Sequence, residues 1–229
     1  MKPLFLTESR RVYRPDEAPD DVRDRAVALA CEGMTAEDIA EPVFGSLGPK
    51  GETYACGIIP DARERGVTIL QDRRASPFWN LERGEGIAFT TSNVDAARFV
   101  ATLPHMMTGP DVARAEELAR TWAVTFRMRP APGRWTVGTV AEFYYEPAHE
   151  DDDPDAAELA RVAEELRDVW EGYVSELCRD ALRQLRAQAD YLASWETIAD
   201  RARDMNEGFD DRGRFVSLAD CAEGETDAE

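Results

Sequence analysis

The segment Trp122-Ala-Val-Thr-Phe-Arg-Met-Arg129 alternates strictly, and after the turn Pro130-Ala-Pro-Gly133 alternation resumes over Trp135-Thr-Val-Gly-Thr-Val-Ala-Glu-Phe-Tyr-Tyr-Glu146. A period of two marks a half-buried strand, because successive side chains leave opposite faces of an extended chain. The first strand puts Trp122, Val124, Phe126 and Met128 on one face and Thr125, Arg127 and Arg129 on the other. The second sets Glu142, Tyr144 and Glu146 on one face, opposite Ala141, Phe143 and Tyr145.

Upstream of these strands, Val67–Leu70 and Gly86–Thr91 read as short strands. Ser92-Asn-Val-Asp95 resembles a box-like cap opening a helix through about Thr102, and another helix is expected over about 111–120. Nearer the start, Asp21 can cap a helix that runs through Cys31 and closes at Gly33. Thr35-Ala-Glu-Asp38 has the form of a capping box for a second helix, bounded by Pro42. The two helices around Gly33-Met-Thr35 begin like a helix-turn-helix. The following Lys50–Gly57 carries one cation and two glycines, which suits no major-groove helix.

Downstream, Pro147-Ala-His-Glu-Asp-Asp-Asp-Pro154 reads as a boundary loop, with Asp153 and Pro154 a suitable N-cap and first-turn pair. From about 154 to 193, Leu159, Val162, Leu166, Val169, Tyr173, Leu177, Leu182, Leu185 and Leu192 recur at helical spacings, and Gly172 marks a point where the helix could break. A shorter helix over about 195–206 ends at Gly208, and Glu223–Glu229 reads as a disordered tail. The expected fold class is α+β. A mixed small β-sheet with surrounding helices occupies residues 1–149, and an acidic helical region follows over 150–229. Proteases are expected to cut first near 147–154 or after about 208.

At 229 residues, 43% hydrophobic, the chain can bury a core. Its 46 acids outweigh 27 bases for a net charge of −19, and only Lys2 and Lys50 are lysines. Residues 150–229 alone hold 24 acids and 9 Arg. Such a polyanion is repelled by nucleic acid and by anionic membranes, so direct binding to either is not expected. No run approaches the ~18 apolar residues of a membrane span, and the first residues lack the apolar core of a signal peptide. A cytoplasmic location is expected. Cys31, Cys56, Cys178 and Cys221 are widely spaced and read as reduced thiols. With only His105 and His149 as imidazoles, no metal site is expected. Gly45–Gly51 imitates a phosphate loop, but Pro49 removes an N–H there. Ser76-Pro-Phe-Trp-Asn80 reads as an aromatic loop.

Three pieces belong together: Gly84-Glu-Gly-Ile-Ala-Phe-Thr-Thr-Ser-Asn-Val-Asp95, which is glycine-led and ends in hydroxyls, the strand 122–129, and the strand 140–146 with its carboxylates. Over about 84–146 the chain resembles the ADP-ribosyltransferase superfamily. The resemblance implies NAD as cofactor, Arg14 (in Val12-Tyr-Arg14) with Thr90, Thr91 and Ser92 as cofactor-binding residues, and Glu142 or Glu146 as the catalytic carboxylate. The family's His-type signature would need a His near Leu6, and none is there, so the match runs through Arg14. The chemistry suits these residue types. Cleaving the nicotinamide–ribose bond develops oxocarbenium charge that a carboxylate stabilises. An Arg grips a diphosphate through paired hydrogen bonds.

Simpler roles stand beside these: Thr91-Ser92 as a helix cap, the Glu142/Glu146 face as a solvated strand face, Arg14 as a turn residue. Two functional readings follow. One is an NAD-dependent transferase modifying a macromolecular target. The other is an acidic non-enzymatic inhibitor that imitates nucleic acid and captures a basic nucleic-acid-handling protein. Either would suit a gene carried by a phage or mobile element. A third reading makes the charge a solubility trait. The 154–193 helix is the expected oligomerising or partner-binding arm.

Overall fold

The computed structural model describes residues 4–6, 11–45, 57–71, 77–81, 85–103, 110–132, 137–147 and 154–223. In chain order they form β1 (Leu4–Leu6), β2 (Arg11–Tyr13), α1 (Asp20–Gly33), α2 (Ala36–Phe44), α3 (Ile58–Glu64), β3 (Val67–Ile69), β4 (Phe78–Asn80), β5 (Gly86–Ala88), β6 (Thr91–Val94), α4 (Ala96–Ala101), α5 (Pro110–Arg120), β7 (Val124–Pro130), β8 (Thr139–Tyr145), α6 (Pro154–Leu192), α7 (Trp195–Asp204), β9 (Glu207–Asp210), β10 (Phe215–Ser217) and β11 (Cys221–Glu223). The fold is α+β, with small antiparallel sheets among helices. Among the described residues, no helix is long and apolar enough to cross a membrane.

By internal contacts the chain falls into two units, Met1–Ile39 with Ala187–Glu229, and Ala40–Arg186. Composition suggests a boundary at 147–154 instead, a stretch whose residues 148–153 lie outside the described ones. The reason for the difference is strand pairing. β2 pairs with β9 and β1 with β11, so the two ends of the chain share one sheet.

In the first unit that sheet has the order β10-β9-β2-β1-β11. Val22 and Ala26 of α1, Ile198 and Ala202 of α7, Ala18 and Phe209 form its buried core. Asn206, in the left-handed region at φ 54°, ends α7 and turns the chain into β9. The β9–β10 turn is held by Asp210, whose Oδ1 accepts from the backbone N–H of Arg212 and Arg214, both at 2.9 Å. Gly213 has φ +78°, and a Cβ there would meet Ala26 N at 2.5 Å, so only glycine fits. Backbone pairing after residue 208 is therefore dense, against the expectation of an open, easily cut tail. Residues 224–229 lie outside the described ones.

The capping box forms as its residues require: Asp38 N–H donates to Thr35 Oγ1 at 3.2 Å, and Thr35 N–H donates to Asp38 Oδ2 at 2.9 Å. Helix α2 nevertheless continues past Pro42 to Phe44, so Pro42 lies inside it and does not bound it.

In the second unit, β7 and β8 pair from Val124↔Tyr145 to Pro130↔Thr139. Val124, Phe126 and Met128 are buried and Thr125, Arg127 and Arg129 exposed, as the alternation demands. Trp122 departs from it. The strand starts two residues later, and Trp122 is 88% exposed with φ 61°. Phe78-Trp-Asn80 is a strand paired with β5, where an aromatic loop is expected from sequence. Helix α6 runs unbroken through Gly172 and buries Leu159, Val162, Leu166, Trp170, Val174 and Leu185. Trp170 packs edge-on to Phe99 and Phe126 at centroid distances of 5.2 and 5.3 Å, and its indole N–H donates to Arg127 O at 3.2 Å. Each such buried side chain contributes about 1.5–3 kcal/mol, which is why packing overrides the glycine.

Candidate functional site

The hydroxyl segment does not cap a helix. Thr91–Val94 is strand β6, and α4 is capped by Asp95, whose carboxylate accepts from Arg98 N–H at 3.0 Å. β6 pairs with β3 as Thr68↔Asn93 and then Ile69↔Thr91. Two steps on β6 thus match one on β3, which leaves Ser92 as the extra residue of a bulge. Bulges re-aim side chains, and here the exposed Ser92 hydroxyl donates to Thr68 O at 3.3 Å. Thr91 Oγ1 accepts from Met128 N–H at 3.0 Å and so ties β6 to β7. Thr90 lies between β5 and β6, and its carbonyl accepts from Leu70 N–H at 2.7 Å.

A cleft of about 580 Å³ lies between β6, the start of α4, the end of α5 and β7. Thr91, Ser92 and Asp95 line it together with Arg120, Trp122, Thr125 and Arg127. Thr90 does not. Arg127 makes no ion pair among the described residues, and Arg120 Nε donates to Glu116 O at 3.2 Å. The left-handed backbone at Trp122 costs about 1–2 kcal/mol for a residue with a Cβ, and it turns the indole outward beside the cleft.

Glu142 faces Arg127 directly across the β7–β8 ladder, but it does not line the cleft. Its carboxylate is engaged by Arg129, whose hydrogen bond holds it below the usual carboxylate range, helped by Arg129's charge and by Tyr144. Glu146 follows the end of β8, is exposed, and donates its backbone N–H to Ala123 O at 2.8 Å. Arg14 belongs to the first unit. It is exposed and precedes a short 3₁₀ turn, where its carbonyl accepts from Glu17 N–H at 2.9 Å. The second unit therefore brings Thr91 and Ser92 together in one cleft, with Glu142 one strand away.

Sequence reasoning missed Trp122, Arg120 and Arg127 as lining residues. The short span from the end of α5 at Arg120 to the start of β7 at Val124 is the available signal, since it forces a tight turn at Trp122. Among the described residues, no group of three His, Cys, Asp or Glu could hold a metal ion. Compared with protein-family models, curated proteins and solved structures, the chain matches none of them.

Proposed function

We propose that the second unit binds an NAD-type dinucleotide in this cleft and passes its ADP-ribosyl group to a macromolecular target. The observation that carries the reading is the bulge at Ser92. It sets the hydroxyl segment against Arg127 in one cleft, with Glu142 as Arg127's cross-strand neighbour. The lining suits the ligand. Arg120 and Arg127 offer guanidinium donors to a diphosphate. The exposed indole of Trp122 offers a face on which a base can stack. Ser92 and Asn93 offer exposed polar groups to ribose hydroxyls.

When bound, NAD supplies an ADP-ribosyl group whose bond to nicotinamide breaks with growing positive charge on the ribose. Asp95 lines the cleft but caps α4, so the opposing carboxylate is assigned to Glu142, one strand away, which the hydrogen bond from Arg129 holds below the usual carboxylate range. Glu146, beyond the strand end, is the less favoured of the two. Arg127 takes, within this unit, the anion-gripping part that the family resemblance gives to Arg14.

NAD should raise the melting temperature of the chain, because a ligand of the native state stabilises it by mass action. Glu142→Gln should abolish transfer and spare binding, whereas Arg127→Gln should weaken binding itself. Trp122→Gly should lose about 1–3 kcal/mol of binding while leaving fold stability unchanged or slightly raised, since glycine accepts the positive φ. A chain that NAD does not stabilise, and that labels no lysate protein from tagged NAD, would end this reading.

The alternative, capture of a basic partner by an acidic arm, rests on the C-terminal charge. On α6 itself nine acids are interleaved with five Arg. Arg161 bridges to Glu158 and Glu165, and Arg183 to Asp180 at 3.0 Å. The helix therefore offers a mixed surface more than an uninterrupted anionic one.

A further inference from the structure

The first unit has a cavity of its own, about 590 Å³, bordered by α1, α7 and the β9–β10 hairpin. Its wall is apolar: Ala26, Leu29 and Ala30 of α1, Ile198 of α7, and Phe215 of β10. Two arginines line the same space, Arg201 and Arg214. Three arginines of this unit are committed to carboxylates: Arg23 to Asp20 at 3.6 Å, Arg25 to Asp21 at 2.9 Å and Arg203 to Asp16 at 2.6 Å. Among the described residues, Arg201 and Arg214 make no ion pair. In a chain of net charge −19, these two cations stand beside an apolar wall with no carboxylate among the described residues paired to either.

Both are held in place. The Arg201 guanidinium lies over the Phe215 ring, 5.9 Å from its centroid, and Phe215 rests on the buried Phe209 at 5.1 Å. The backbone of Arg214 is fixed by its N–H bond to Asp210. The one carboxylate lining the cavity, Asp38, is occupied by Thr35, which donates its N–H at 2.9 Å and its hydroxyl at 2.6 Å. Those bonds hold Asp38 below the usual carboxylate range, and Arg201 adds only the smallest of its electrostatic influences.

We propose that this cavity binds an amphipathic monocarboxylate, an aliphatic chain with one carboxylate head. The chain lies against Leu29, Ile198 and Phe215, and Arg201 and Arg214 receive the head. The volume falls within the range of small-molecule sites, roughly 300–1,000 Å³. Leu29 and Phe215, each only 39% exposed, are the large exposed hydrophobics of the lining. That is too little for a protein interface, which buries about 800 Å² on each partner. Charge complementarity selects the head group: guanidinium forks match a planar carboxylate, not an alcohol or a cation.

The test is a calorimetric titration of the full chain with decanoate, 1-decanol and decyltrimethylammonium, all below their aggregation limits. Decanoate should bind saturably at one site, decanol at least tenfold more weakly, and the cation not at all. Arg201→Gln and Arg214→Gln should each weaken decanoate at least tenfold without moving the melting temperature. Leu29→Asp should weaken it through the apolar wall. Equal binding of decanol and decanoate, or an unaffected Arg201→Gln/Arg214→Gln double variant, overturns the proposal. A dimer in sedimentation that Leu29→Asp dissociates assigns the cavity to a second copy and overturns it equally.

Discussion

Tyr173 sits on α6 with its hydroxyl buried and unpartnered among the described residues, while its ring packs against Phe99 and Trp170. Burial pushes its phenol from 10.0 up to about 12, with Arg65 and Asp61 acting in opposite directions. The folded state thus favours the protonated phenol. That contribution is fully present below pH 10.0 and is lost as pH rises toward about 12. Tyr173→Phe keeps the ring contacts and removes an unsatisfied group. It should gain about 1 kcal/mol at neutral pH, and its advantage over the native chain should grow above pH 10. Urea denaturation of both proteins at pH 7.5 and pH 11 checks this. A variant less stable than the native chain at pH 7.5 would show that the hydroxyl has a partner after all.

Two glycines separate what an element tolerates from what its neighbours allow. Gly172 lies in the middle of α6 with nothing within 4 Å of a built Cβ. Gly172→Ala should therefore stabilise by about 0.5–1 kcal/mol through helix propensity alone. Gly86 begins β5, and a Cβ there would meet Val137 O at 1.7 Å. The approach is fixed beside it by Thr139, whose hydroxyl donates to Ile87 O at 3.0 Å and accepts from Phe89 N–H at 2.9 Å. Gly86→Ala should destabilise by about 1–3 kcal/mol, because β5 and the backbone at Val137, just before β8, must move apart. Denaturant midpoints that shift the same way for both variants would contradict this packing.

At the scale of the whole molecule, the first unit is discontinuous in sequence, and Phe209 is the point where its pieces meet. It is fully buried, packs on Trp195 at 5.1 Å and pairs through its backbone with Tyr13. Phe209→Ala should cost about 3–5 kcal/mol. In hydrogen exchange the loss should appear first in β2 and β9, with the β7–β8 amides as internal reference. Equal acceleration in both sets would mean that the chain opens as one cooperative unit.

Local pattern determined much of this protein. Alternation gave β7 its faces, Thr35 and Asp38 their capping box, and the apolar spacing of 154–193 its helix, while β8 is half-buried along nearly its whole length. Those signals depend only on neighbours in sequence. Where sequence reasoning departed, the deciding partner was remote. Pro42 stays helical and Gly172 leaves α6 unbroken because tertiary packing outweighs intrinsic propensity. β9 becomes a central strand only by pairing with β2, nearly 200 residues earlier in the chain. The site divides the same way. The hydroxyls of Thr91 and Ser92 and the carboxylate of Glu142 were legible as chemistry. Their setting required the β3–β6 register, which makes Ser92 a bulge, and the positive φ that turns Trp122 from an expected core residue into an exposed one. Sequence specified which faces are apolar. Long-range pairing decided which polar groups those faces bring together, because it fixes relations that no local periodicity encodes.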